Sequence, residues 1–165
     1  MKRFLEKMFI RFFDFAKKAS MKNQYNKYRK KYYIDDNFKF NGSEILLYGE
    51  GKIILGSQSY IGRHSTIQAE RNYEVVIGSF CAISHYVKIY TSSFVVDQDF
   101  MSKNRRTKCG SVIIGNGVWI GANVLINPGI SIGDNSIIGA NSVITKDIFP
   151  NSIVGGIPAT LIRYK

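Results

Sequence analysis

At 165 residues the chain is long enough for one domain with a short appendage, and its 45% hydrophobic content can supply a packed core, which excludes global disorder. Twenty-three Lys and Arg against twelve Asp and Glu leave a net charge of +11, pointing to an anionic partner: nucleic acid, acidic lipid or a phosphorylated ligand. Two histidines exclude a metal site built only from three histidines of one chain, and two cysteines, Cys81 and Cys109, are too few for a disulfide scaffold.

The charge is concentrated at the start. Residues 1–33 hold eleven basic residues and only Glu6 and Asp14 as acids, whereas the rest of the chain is close to neutral. The spacing of Leu5, Met8, Phe9, Phe12, Ala16 and Ala19 predicts an amphipathic α-helix, with Tyr25, Tyr28 and Tyr32 continuing the helical steps. Lys2, Arg3, Lys7, Arg11, Lys17 and Lys18 mostly flank the stripe. Two destinations suit such a stripe: the protein's own body or a partner subunit, and the interface of an anionic bilayer. No apolar run approaches the ~18 residues of a membrane span. Lys7, Arg11 and Asp14 interrupt the first apolar stretch and no small-residue cleavage site follows, so no secretory signal is read and the expected compartment is the cytosol. Residues 1–40 are expected to form this basic helical segment, and residues 41–165 a separate body.

The body carries a period of six. Leu55, Ile61 and Ile67 keep the step, a four-residue insertion shifts the frame, and Ile77, Ile83 and Ile89 resume it. From Ile114 the hexads IGNGVW, IGANVL, INPGIS, IGDNSI, IGANSV and ITKDIF follow without a slip. Neither an amphipathic helix nor a half-buried strand has this period; a short strand plus a turn, repeated, does. The aliphatic first residue points inward and stacks on its counterpart one coil away, the Gly and Asn after it suit tight corners, and the fifth position is small or β-branched. The fold expected is an all-β solenoid, a parallel β-helix. Residues 95–113 break the repeat and are expected to form a loop, often on the binding face of such proteins, and residues 154–165 to cap the end.

These hexads, followed by NSIVGGIPATLIRYK, resemble the hexapeptide-repeat acyltransferases, and more closely the branch of maltose, galactoside and polysaccharide O-acetyltransferases. The resemblance spans about residues 53–165 and is most specific in VWIGANVLINPG, ITKDI and VGGIPA. It implies a left-handed parallel β-helix of triangular cross-section, three hexads per coil, a homotrimer, and acetyl-CoA in the groove between adjacent subunits. By motif, the backbone at Ala122 and Ala140 would face the pantetheine arm, Thr145 and Lys146 would reach the nucleotide end, Pro158 would shape the adenine end, and Arg163 would place a cation near the phosphates. Trp119 either covers the groove at a corner or forms a stacking wall for the sugar or the pantetheine.

Acetyl transfer from a thioester to a hydroxyl needs a base for the hydroxyl proton and a donor for the developing oxyanion. In the maltose and galactoside enzymes the base lies in a T-x-x-H-P pattern. Thr91-Ser92-Ser93-Phe94-Val95 stands there in this chain, so Phe94 replaces the histidine. His85, third in its hexad, resembles the placement of the base in the sugar N-acetyltransferases, with Tyr86 where they carry an acid. His85 is therefore the expected base, ahead of His64, which has Arg63 beside it. Asp97 and Asp99, in the loop, are assigned to the acceptor side, with either one a candidate to orient His85, within the chain or across the subunit boundary.

The function expected is acetylation of a sugar hydroxyl of a bacterial surface polysaccharide or its precursor by acetyl-CoA, without a metal. N-acetylation of a nucleotide-linked amino sugar and a non-catalytic scaffold are the alternatives. The basic segment motivates peripheral attachment at the inner face of the cell membrane. No nucleic acid partner is expected, because the body has no basic face.

Overall fold

The computed structural model describes residues 2–165; Met1 of the basic segment lies outside the described residues. Two compact units divide the chain, the second beginning at Tyr32.

The first is one uninterrupted helix, α1, Lys2–Lys31. It is about 45 Å long at 1.5 Å per residue. Arg29, Lys30 and Lys31 occupy its last turn, where cations oppose the negative end of the helix dipole. At about 100° per residue, Leu5, Met8, Phe9, Phe12 and Ala16 share one side of the helix. Tyr25 and Tyr28 fall about 175° further round, so the single stripe expected from the spacing is in fact two stripes on opposite sides. The step from Ala19 to Met21 is where one gives way to the other. Ring packing respects the division: Phe12 meets Phe13 edge-on at 6.1 Å, and Tyr25 lies 6.2 Å from Tyr28.

The second unit is a parallel β-solenoid of about five turns with three strands per turn. Face A stacks Tyr33–Ile34, Lys52–Leu55, Glu74–Ile77, Val112–Ile114 and Ser131–Ile132. Face B stacks Lys39–Asn41, Tyr60–Gly62, Ala82–Ile83, Trp119–Ile120, Ile137–Ile138 and Ser152–Gly156. Face C stacks Leu46–Tyr48, Thr66–Gln68, Lys88–Tyr90, Leu125–Ile126 and Val143–Ile144. The solenoid therefore begins at residue 33, not 41, and the helical segment ends at Lys31 rather than residue 40.

Register puts like upon like. Leu55, Ile77, Ile114 and Ile132 align on face A; Ile61, Ile83, Ile120 and Ile138 on face B; Ile67, Ile89, Ile126 and Ile144 on face C. All twelve are buried. Fifth-position residues fill the remaining core, and the serines among them join rungs. Ser59 Oγ donates to the Gly78 carbonyl at 2.7 Å and accepts from the Cys81 amide at 2.8 Å.

The excursion from the coil is a hairpin. Ser92–Phe94 pairs antiparallel with Thr107–Cys109, and Val112 and Ile113 are already back on face A, so the loop expected at 95–113 begins and ends about three residues earlier. The terminal segment is also a hairpin: Ser152–Gly156 continues face B, and Ala159–Tyr164 returns antiparallel along its edge.

Candidate active site

The corner between faces B and C gathers the residues of most chemical interest. The corner residue of each rung here is left-handed: Glu44, His64, Tyr86, Asn123 and Asn141 have φ between 57° and 60°. Asn tolerates this conformation; for a bulky Tyr it is uncommon, and such strain clusters at functional sites. Backbone hydrogen bonds align the preceding residues in a column. The Tyr86 amide donates to the Arg63 carbonyl, the Asn123 amide to His85 and the Asn141 amide to Ala122, at 2.9 to 3.0 Å. His85, Ala122 and Ala140 thus lie on three successive rungs, with Arg63 one rung before.

His85 is held from beneath. Its Nδ1 is buried and without a hydrogen-bond partner, and a methyl group added at Gly62 would lie 2.5 Å from it. Gly62, on the rung below, is the residue that leaves room for the imidazole. Asp97 and Asp99 do not supply the missing partner within the chain. Asp99 accepts from the Met101 amide at 2.8 Å, and the Asp97 carbonyl accepts from Arg106 at 2.7 Å.

His64 has partners that sequence reasoning missed. Its Nδ1 donates to the Glu44 carboxylate at 3.0 Å, and its ring stacks on Tyr86 with centroids 4.8 Å apart and planes 6° from parallel. His64 and Tyr86 share the fourth hexad position, but Glu44 is fifth after its strand head Phe40, so the hexad count does not bring it to them. Further along the same column, Asn123 Nδ2 donates to Asn141 Oδ1 at 3.0 Å.

Two cavities collect residues assigned to the nucleotide end and the excursion. Thr145, Lys146 and Pro158 line one of about 290 Å³, together with Phe149, Ala159 and Tyr164. Arg163 does not line it; its guanidinium donates to the Tyr164 carbonyl at 3.1 Å. Phe94, Lys108, Asn127 and Thr145 line the other, of about 270 Å³. Arg105 lies 5.2 Å over the Phe94 ring, and Phe100 meets that ring edge-on, so the ring is flanked on two sides while about half of it stays exposed. Trp119 stands outward on face B, about half exposed, between Ala82 and Ile137 in register. Among the described residues, no three His, Cys, Asp or Glu side chains converge as metal ligands do.

Residues 111–146 match the description "Bacterial transferase hexapeptide (six repeats)". A maltose O-acetyltransferase structure from Clostridium difficile 630 is 30% identical, covering 78% of this chain and 70% of that one, with a TM-score of 0.58. The chain belongs to the hexapeptide-repeat acetyltransferase family. Within it, galactoside O-acetyltransferase of Escherichia coli K12 is 40% identical over 112 residues, which are 66% of this chain and 55% of that protein. The chain spans about half the length of the curated relatives it matches. A galactoside acetyltransferase solved with coenzyme A is 33% identical, covers 72% of this chain and 64% of that one, and has a TM-score of 0.53. The N-acyltransferase AntD of Bacillus cereus shares the hexapeptide fold at a TM-score of 0.70, with 19% identity over 86% of this chain and 89% of that one.

Proposed function

We propose that the protein transfers the acetyl group of acetyl-CoA to a hydroxyl of a sugar in a bacterial surface polysaccharide or its precursor. The observation that carries the reading is the column of His85, Ala122 and Ala140 on successive rungs. Small residues there let an extended thioester arm run along the backbone and end at an imidazole. Lys146 and Thr145, around the cavity toward the C-terminal hairpin, take the nucleotide end, with Pro158 beside the adenine and Arg163 near the phosphates. Trp119 borders either the arm or the acceptor, and Asp97 and Asp99 lie on the acceptor side.

His85 Nε2 takes the proton of the acceptor hydroxyl as its oxygen attacks the thioester carbonyl. The tetrahedral oxyanion then collapses, the C–S bond breaks, and the thiolate leaves and recovers the proton from the imidazolium. No metal takes part. A homotrimer completes the groove in this reading, with the enzyme in the cytosol at the inner face of the cell membrane, where residues 1–33 attach it. Nucleic acid is no partner.

The test is release of coenzyme A thiol with sugar acceptors. His85→Ala is expected to lower turnover by about 10²–10⁴-fold, the usual worth of a positioned base, with acetyl-CoA affinity retained. Undiminished turnover removes His85 from the mechanism. Transfer to amino sugars alone replaces the hydroxyl acceptor by an amine.

A further inference from the structure

We infer that one whole side of α1 is a bilayer-facing surface: an aromatic half that enters the interface, followed by a basic half that lies on anionic headgroups. The inference rests on the membrane attachment proposed above and is independent of the acyl-transfer chemistry.

The first half supplies the apolar part. Phe4, Leu5, Met8, Phe9, Phe12 and Phe15 fall within about 140° of arc at 100° per residue. All six are exposed, from 44% for Leu5 to 72% for Phe4. A row of exposed phenylalanines of this length is more than scattered surface hydrophobicity, and it marks an interaction surface. Most cations of this half, Arg3, Lys7, Lys17 and Lys18, lie across the helix from it with Glu6, Asp14 and the exposed Ile10 and Phe13, while Arg11 stands at its edge beside Phe4.

Beyond Ser20 the arrangement inverts. Lys22, Lys27 and Lys30 now occupy the side on which the phenylalanines stood, with Arg29 and Lys31 at its two margins, and no acid occurs between Ala19 and Lys31. Met21, Tyr25 and Tyr28 take the opposite side. One line along the helix therefore reads aromatic, then basic. An amphipathic helix on a bilayer wants apolar side chains below the headgroups and cations level with the phosphates, and anionic lipid attracts each nearby Lys or Arg. An apolar protein partner would match the aromatic half but leave Lys22, Lys27 and Lys30 on the same line unanswered. An anionic bilayer meets both halves at once. No helix among the described residues is long and apolar enough to cross a membrane, so the contact is with the surface.

The experiment uses the full chain with vesicles of phosphatidylcholine alone or mixed with phosphatidylglycerol. In a Trp119→Phe background, which removes the one native tryptophan, single reporters are placed as Phe12→Trp or Tyr25→Trp. Phe12→Trp should shift its emission to the blue on mixed vesicles, and Tyr25→Trp should not. Lys22→Glu/Lys27→Glu/Lys30→Glu should lower vesicle partitioning at least tenfold, as should raised salt. Phe9→Ser/Phe12→Ser should do the same, and Phe9→Leu/Phe12→Leu should retain it. Equal shifts at both reporters, or binding that ignores the Lys22, Lys27 and Lys30 reversals, would overturn the assignment of this side while leaving attachment itself standing. No partitioning onto either vesicle overturns attachment as well. Serine variants that change the oligomeric mass instead of partitioning give the aromatic half to a second copy of the chain, and the inference fails.

Discussion

The helix and the solenoid use similar residues to opposite ends. In the solenoid, Ile61, Ile83 and Ile120 lie one above the next and are fully buried. In α1, Phe4, Phe13 and Phe15 are each at least two-thirds exposed. A repeat states its own burial, because the register that pairs two rungs also places each side chain on its twin. An amphipathic helix states only that it has an apolar side, and what covers that side comes from elsewhere. The difference teaches that hydrophobic content alone says little until the period shows whether the chain supplies its own neighbour.

The sharpest way to break this contrast is to truncate one residue of each kind. Ile120→Ala removes three carbons between Ile83 and Ile138, and about 2–5 kcal/mol of stability should go with them. Phe12→Ala, larger in volume, should change stability by no more than about 0.5 kcal/mol. Urea unfolding of both variants decides it, and equal costs would erase the distinction. Adding an atom sharpens the comparison next. Gly62→Ala would place its methyl 2.5 Å from His85 Nδ1 and 2.7 Å from the Ser84 carbonyl carbon. An overpacking cost of about 1–3 kcal/mol is expected, together with a fall in turnover larger than any change in acetyl-CoA affinity. Stability and turnover both at the wild-type level would show that the imidazole does not depend on the rung beneath it.

The smallest effect concerns protons. Burial pushes the Cys81 thiol above its ordinary value of 9.0, an effect only partly offset by hydrogen bonds from Val118, Ser59 and Gly117. The folded chain then holds that proton more tightly than the unfolded chain does. The resulting stability is complete below the ordinary thiol pKa and is lost as pH rises through the higher folded value. Unfolding free energy should decline across that alkaline window, and Cys81→Ala should flatten the decline. Iodoacetamide should label half-exposed Cys109 well before Cys81.

Much of the solenoid was legible because its period is local. The aliphatic heads from Leu55 to Ile144 stand where the six-residue count placed them. The first coil escaped because Ile34, Phe40 and Leu47 head its strands at uneven steps, with extra residues absorbed at the corners. At the site, the alignment of His85 with Ala122 and Ala140 follows from the hexad count once the excursion is removed. The Glu44–His64–Tyr86 stack did not, since it joins three rungs of unequal length and depends on which side chain reaches across. The chain neighbour Arg63 is visible in the sequence; the side chain that His64 bonds, Glu44, is not. In α1 the helical spacing was visible, but the change of side after Ala19 appears only when the angle is followed round the axis.

The final strand has a consequence for length. Each rung of a parallel solenoid offers the next a ready template, so nothing in the repeat itself says when to stop, and two such molecules could in principle grow end on end. Ala159–Tyr164 runs the other way along the last edge of face B. By reversing direction it occupies the amides and carbonyls that a further parallel strand would need there, and it works as a terminator against polymerisation.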